Sequence, residues 1–444
     1  MSGNLAIIFG LLVLCAVVFL IIKQYETRMV LIGAGFLMAI VALKPLTAFS
    51  AFSTNMVVGG LIQNICSALG FAAILQLTKC DKHLVYALAK GLKHMRPLLI
   101  PAAALATFLV NIAIPSAAGC AAAVGVVLIP LMISQGVHPA AAASAIMLGT
   151  FGSTLSPGFS HNAVVIGIAN EALVAQGMAA TVTSADFIMT IVKGALPGFA
   201  IGALCLTAIS VFRKEHKGYV PKTDGGESVT DESATFKVNP LFAVLPLLPI
   251  ALLIAFSFPQ VQAQITWAKS FLVPHAMLLG AFLCLVFTRT SPTQATKDFF
   301  NGMGKGYGDV IGIIIAAGVF VGGMRALGLI DAGIEGMKGA ETIAGVAATF
   351  GPFLIAVISG SGDAAAIAFN NAVTAHAPSL GFEIIDMGAL AALTGSMGRS
   401  MSPIAGAAIL IAGLAKVNPF EIAKRNALGM ILGTFAAMVV MIYM

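Results

Sequence analysis

Long apolar runs separated by short polar breaks dominate the chain. Leu5 to Ile22, Met29 to Leu43, Leu241 to Phe256 and Ala427 to Met444 each approach the ~20 residues a membrane-spanning helix needs, and about a dozen such segments fit. The pattern predicts helices, since a single segment in hydrocarbon must satisfy its own backbone hydrogen bonds. Set among these runs are 47 glycines and 19 prolines. Breaks of that kind are tolerated only where they are buried in protein or line a cavity, so interrupted helices are expected.

Composition sharpens the picture. The chain is 59% hydrophobic and 9% charged, against about a quarter charged in soluble domains, so most of its surface faces lipid. The net charge of +6 belongs to loops, and no basic cluster with interleaved aromatics points to nucleic acid. The six cysteines stand singly without ligand spacing, which predicts small core residues and neither disulfides nor a metal site. The first apolar segment lacks a basic leader and a small-residue cleavage site, and reads as a retained helix. No G-x-x-x-x-G-K-[ST] loop, H-E-x-x-H or comparable catalytic arrangement occurs, so neither an enzyme nor a nucleotide-driven pump is expected.

Charge sets an orientation. Basic residues cluster between Lys79 and Arg96 and again in Arg213, Lys214, Lys217, Lys222 and Lys237, which predicts that both stretches are cytoplasmic. The stretch from Asn170 to Asp186 has acids and no Lys or Arg, and falls outside. Lys23 and Arg28 then put the N-terminus in the periplasm. Arg325 and Lys338 lie against this scheme. The polar segment with Gly225-Gly226 reads as a linker, dividing the chain into a first membrane repeat with an extra N-terminal helix (1–212), a cytoplasmic linker (213–238) and a second repeat (239–444).

The halves share a motif. Gly149-Thr150-Phe151-Gly152-Ser153-Thr154-Leu155-Ser156-Pro157 aligns with Gly395-Ser396-Met397-Gly398-Arg399-Ser400-Met401-Ser402-Pro403, giving G-x-x-G-x-[ST]-x-S-P. Nearly one offset also pairs Phe108-Leu109 with Phe353-Leu354, and Ile114-Pro115-Ser116 with Ser359-Gly360-Ser361. Because the charge rule sends the segment from Met29 out of the cytoplasm and its counterpart near Ala276 into it, the repeats should be inverted. Inverted repeats with broken helices characterise secondary transporters, whose ligand site lies near the midplane where the repeats meet.

Candidate chemistry gathers at the breaks. Arg399 is costly in a membrane unless it meets an acid or a bound anion, which a guanidinium grips bidentately. Asp363 can hold a proton, coordinate a cation or pair with Arg399. The hydroxyls of Ser116, Ser153, Thr154, Ser156, Ser361, Ser400 and Ser402 and the amide of Asn162 can bind an anion, with Pro157, Gly360, Gly362 and Pro403 as hinges. The bland alternative is that the glycines allow close packing and the hydroxyls satisfy backbone freed by proline. His161 reads as an interfacial hydrogen-bonding residue rather than a proton relay. Asn370 and Asn371 fit either ligand binding on the face of Asp363 or hydrogen bonding between helices.

The runs Gly360-Ser361-Gly362-Asp363, Gly398-Arg399-Ser400-Met401-Ser402-Pro403 and Ala412-Gly413-Leu414-Ala415-Lys416-Val417-Asn418-Pro419-Phe420-Glu421 resemble the anaerobic four-carbon dicarboxylate carriers of the DcuC type. The resemblance implies an all-α polytopic carrier of the bacterial inner membrane within the ion transporter superfamily. It also implies re-entrant hairpins, a scaffold, a moving elevator-like transport domain and a homodimer. There is one departure: the family's first motif continues past its proline into Thr-Ser-Gly-Asp, whereas Pro157 is followed by Gly158-Phe159-Ser160-His161-Asn162.

The expectation is therefore a secondary carrier of small dicarboxylates such as succinate and fumarate, without cofactor but with a proton or sodium as coupling ion, and with both termini periplasmic. Another organic anion on the same fold, or an anion channel or sensor, remains an alternative.

Overall fold

The computed structural model describes residues 3–23, 25–57, 59–92, 98–220, 236–257, 259–332 and 341–444. Among them the chain is helical, with no strand. Four helices are long and apolar enough to cross a membrane: Ala117–Ser134, Ser184–Phe212, the continuous stretch Pro292–Ala326, and Pro419–Tyr443. Shorter apolar helices, including Thr27–Val41, Leu99–Ala113 and Val273–Thr288, complete a multi-pass architecture. The first helix, Gly3–Ile22, leaves Leu5, Ile8, Leu11, Leu12 and Phe19 exposed, as a lipid-facing surface does.

Local sequence explains where helices start and stop. Proline occupies the first turn of Pro45–Asn55, Pro139–Gly149, Pro292–Lys305 and Pro419–Tyr443, where its missing N–H costs nothing. Thr183 and Asp186 close a capping box on Ser184–Phe212. The predicted run Met29 to Leu43 ends two residues early, at Val41, because Leu43 enters the left-handed region and Pro45 opens a new helix.

Two large apolar cores hold the described residues together, with a small third cluster at Ala39, Ala48 and Val319. The larger packs Leu99–Ala113, Ala117–Ser134, Pro139–Gly149, Ser184–Phe212, Ile384–Arg399 and Gly406–Ala415 around Phe108, Phe151, Leu148 and Met397. The other joins the N-terminal helices to Gly312–Ala326 and Gly362–Val373 through Met38, Ile314, Phe320 and Ile367.

The chain breaks its helices at four places that face one another: Ile114 to Ser116, Thr150 to Phe159, Gly360-Ser361, and Ser400 to Ala405. At Gly360 the backbone turns left-handed (φ 73°), and a Cβ there would lie 3.0 Å from the Ala405 nitrogen, so the break depends on glycine.

The start of the segment expected to be a linker is docked. The Glu215 carbonyl accepts from the His138 N–H, and its carboxylate accepts from Arg425 Nε at 2.9 Å. At its far end Phe236 stacks on Tyr86 with ring centroids 4.3 Å apart. The middle of the linker, with Lys222 and Gly225-Gly226, lies outside the described residues, as do Lys93, Arg96 and Lys338.

Candidate functional site

A cavity of about 890 Å³ opens between the four breaks and the helices Gly59–Thr78 and Pro292–Lys305. Its floor is built from helix starts. Ser116 caps Ala117–Ser134, its Oγ accepting from the Gly119 N–H at 3.2 Å, and Ser361 caps Gly362–Val373 in the same way through the Ala364 N–H at 3.1 Å. Two more helices begin there, Ser160–Ala175 and Gly406–Ala415, whose first residues line the cavity. Helix starts leave backbone N–H groups unpaired and carry the positive end of the helix dipole, so four of them converging favour an anion.

Arg399 supplies the charge. It ends the helix Ile384–Arg399, only 8% exposed, and reaches the cavity. Nη2 donates to the Thr150 carbonyl at 2.8 Å, which ties the second-half break to the first. Nη1 is buried with no partner among the described residues. A guanidinium held by one edge, with a donor left over, is arranged to receive an oxyanion.

Asp363 also lines the cavity, but it makes no ion pair with Arg399. Its partner is His161, whose Nε2 lies 2.7 Å from Asp363 Oδ1. The expectation of an interfacial His161 is thereby corrected: the ring is fully buried. Being at the start of Ser160–Ala175 turns it inward against the opposite half rather than out to the loop near Asn170.

The remaining predicted residues divide. Ser116, Ser361, Gly360 and Gly362 line the cavity. Ser153, Thr154, Ser156, Ser400 and Ser402 are buried and do not. Thr154 donates to the Phe151 carbonyl and Ser400 to the Ser396 carbonyl, while Ser153 and Ser402 leave buried hydroxyls unpartnered. Asn162 lies beneath the cavity, its amide donating to the carbonyls of Thr154 and Ser156, both at 2.8 Å. It satisfies backbone carbonyls of the turn around Pro157. Pro403 lies in the corresponding turn of the second half. Asn370 accepts from Thr374 and faces Gly388, the helix-to-helix alternative, and Asn371 does not line the cavity either.

Sequence reasoning missed the facing wall. Gln76, Asp298, Asn301, Lys305 and Asp309 line it, and beyond Lys305 the helix loosens into a π-helical turn, Gly306–Ile311. Such turns are frequent at functional sites. The spacing of Asp298, Asn301 and Lys305, three and then four residues apart, marks one helix face and was available as a signal. Ser160, which lines the cavity with an unpartnered hydroxyl, was also missed.

A family profile described as the DcuC C4-dicarboxylate anaerobic carrier matches residues 5–444. An uncharacterised transporter of Haemophilus influenzae is 45% identical over 240 residues, covering 52% of this chain and 84% of that protein. The anaerobic C4-dicarboxylate transporter DcuC of Escherichia coli K12 is 26% identical over 464 residues, covering 96% of this chain and 94% of that protein. Among solved structures, Neisseria gonorrhoeae MtrF, described as illuminating a class of antimetabolite efflux pumps, superposes with a TM-score of 0.61 at 15% identity. That superposition covers 91% of this chain and 84% of MtrF, and shares the fold. With its family match running almost end to end, the chain belongs to the DcuC family of anaerobic carriers and is a multi-pass inner-membrane transporter, not an enzyme.

Proposed function

We propose that the chain is a secondary active carrier of C4-dicarboxylates such as succinate and fumarate. The observation that carries this reading is the set of four helix starts around the unpartnered Nη1 of Arg399. Arg399 grips one carboxylate. The capped ends at Ser116 and Ser361, with the Ser160 hydroxyl, hold the other. Lys305, exposed on the facing wall, attracts the dianion as it enters.

Two inverted repeats of re-entrant hairpins fit the matched features of the halves: the serine caps, the G-x-x-G-x-[ST]-x-S-P breaks and the paired long helices Ser184–Phe212 and Pro419–Tyr443. In this reading the bundle carrying the breaks moves as an elevator past a scaffold that includes Pro292–Lys305. The scaffold would also form the homodimer contact, and both termini would be periplasmic. The cavity lining runs to Gln76, Leu77 and Asp298, near the basic residues Lys79 and Arg289, so this conformation opens toward the cytoplasm on the charge rule.

The test is exchange in liposomes loaded with unlabelled succinate. Uptake of labelled succinate, blocked by fumarate but not by lactate or arginine and lost in Arg399→Ala, is the expected result. Wild-type rates in Arg399→Ala would refute the site.

A further inference from the structure

The pair His161–Asp363 bridges the two halves beside the cavity. It joins residues 202 positions apart across the two halves, one partner fully buried and the other facing the cavity. The imidazole is pressed against the Phe159 ring at 4.5 Å between centroids, and its second nitrogen, Nδ1, is buried without a partner. A histidine kept for packing alone would bond both nitrogens or be replaced by an apolar ring, since an orphaned buried nitrogen costs stability. Histidine beside a carboxylate can change charge near neutral pH.

The inference rests on the dicarboxylate reading above. We propose that His161 and Asp363 together hold the coupling proton of this carrier, so that a dicarboxylate is bound and carried with a proton taken up from the cavity through Asp363. The proton belongs to the pair rather than to either residue. Deprotonated, the pair bears one negative charge, which cancels the single positive charge of Arg399. Protonated, the pair is neutral, and Arg399 presents an uncancelled charge to the dianion. Proton and substrate therefore favour each other's binding, and the coupling is reciprocal.

The charged and titratable groups facing the pair are few. Arg399 comes from the end of Ile384–Arg399, with the Cys120 thiol of Ala117–Ser134 beside it. Across the cavity stand Asp298, Lys305 and Asp309. Gly59–Thr78, packed against the same helix start, carries no charged residue. Ser184–Phe212 meets Ser160–Ala175 near its far end, where Asn170 bonds Val182.

The experiment follows net uptake by full-length protein in liposomes that contain a pH-sensitive dye and no dicarboxylate, with labelled fumarate as probe because both its carboxyls stay ionised near neutrality. Wild type should move protons inward with fumarate, and fumarate affinity should weaken by up to about tenfold per unit rise in pH above the pair's titration. In His161→Gln the ratio of protons to fumarate should fall to near zero, whatever the remaining rate of net uptake. Net fumarate uptake by wild type without proton movement and without pH-dependent affinity would overturn the proton site and leave the dicarboxylate reading standing. Undiminished proton movement in His161→Gln would also overturn it. No exchange of any dicarboxylate by wild type would overturn both. If His161→Gln does not fold, the wild-type proton count and pH dependence decide the matter.

Discussion

Between Gly149 and Pro157, and again between Gly395 and Pro403, the backbone stops being a helix, turns, and starts another helix at the cavity. The framework of the two breaks is the same. A Cβ on Gly152 would collide with the carbonyl oxygen of Phe108, and one on Gly398 with that of Phe353, so each break is pressed onto the preceding broken helix at the matching phenylalanine. The chemistry differs. At the position after the glycine the first half has Ser153, buried behind the cavity, and the second has Arg399, which reaches into it. The first half spends its polar groups on its own backbone, through Asn162, and lends His161 to the other half's Asp363. A repeated backbone thus supplies the helix ends twice, while the charge that reads the ligand is supplied once.

The sharpest way to break this comparison is to remove the residue that differs. Truncating one partner of a buried charged contact costs about 2–5 kcal/mol, so Arg399→Ala should lower kcat/KM for succinate by about 30- to 5,000-fold. Ser153→Ala, at the matching position, should change it less than about threefold, since the hydroxyl has no partner to lose. Exchange rates over a range of succinate concentrations, with both variants reconstituted at equal amounts, check the pair. Equal losses would mean that the breaks share the ligand evenly.

The shared framework makes the opposite prediction. Gly152→Ala and Gly398→Ala each force a methyl group against fixed backbone, a form of overpacking that costs about 1–3 kcal/mol or more. Thermal unfolding of the purified variants in detergent should show a similar drop for both. A drop confined to Gly398→Ala would show that only the second break is held tightly.

Much of this was legible in the sequence because the signals are local. Apolar length announced the helices, the glycine and proline spacing announced the breaks, and Arg399 drew notice because a lone cation in an apolar run is costly. What stayed hidden depends on direction and distance. Whether Ser153 or Ser402 faces ligand or packing is decided by a few residues of irregular backbone, where neither helical nor strand periodicity applies. Pairing with Arg399 was one of three roles open to Asp363, because a buried cation calls for an acid. Instead the Thr150 carbonyl occupies one edge of the guanidinium, and the departure after Pro157 brings His161 to the carboxylate. The wall carrying Lys305 went unread, although its polar face was written in the spacing.

The smallest effects test whether the two capping serines differ as the two breaks do. Ser116 and Ser361 both cap helices and both line the cavity, so Ser→Ala at either removes a cap and should cost about 0.5–2 kcal/mol of stability. That loss alone cannot tell capping from ligand contact. Aspartate and asparagine separate the two, since both cap as well as serine does, but only aspartate adds a negative charge. Ser361→Asp should therefore keep the unfolding temperature of Ser361→Asn while raising the KM for succinate well above it. Ser116→Asp should behave likewise if both helix ends face the dianion, and should match Ser116→Asn if only the half that carries Arg399 does. The pair of asparagine-to-aspartate ratios, read from uptake kinetics, thus reports how far the asymmetry between the breaks extends to the helix ends beside them.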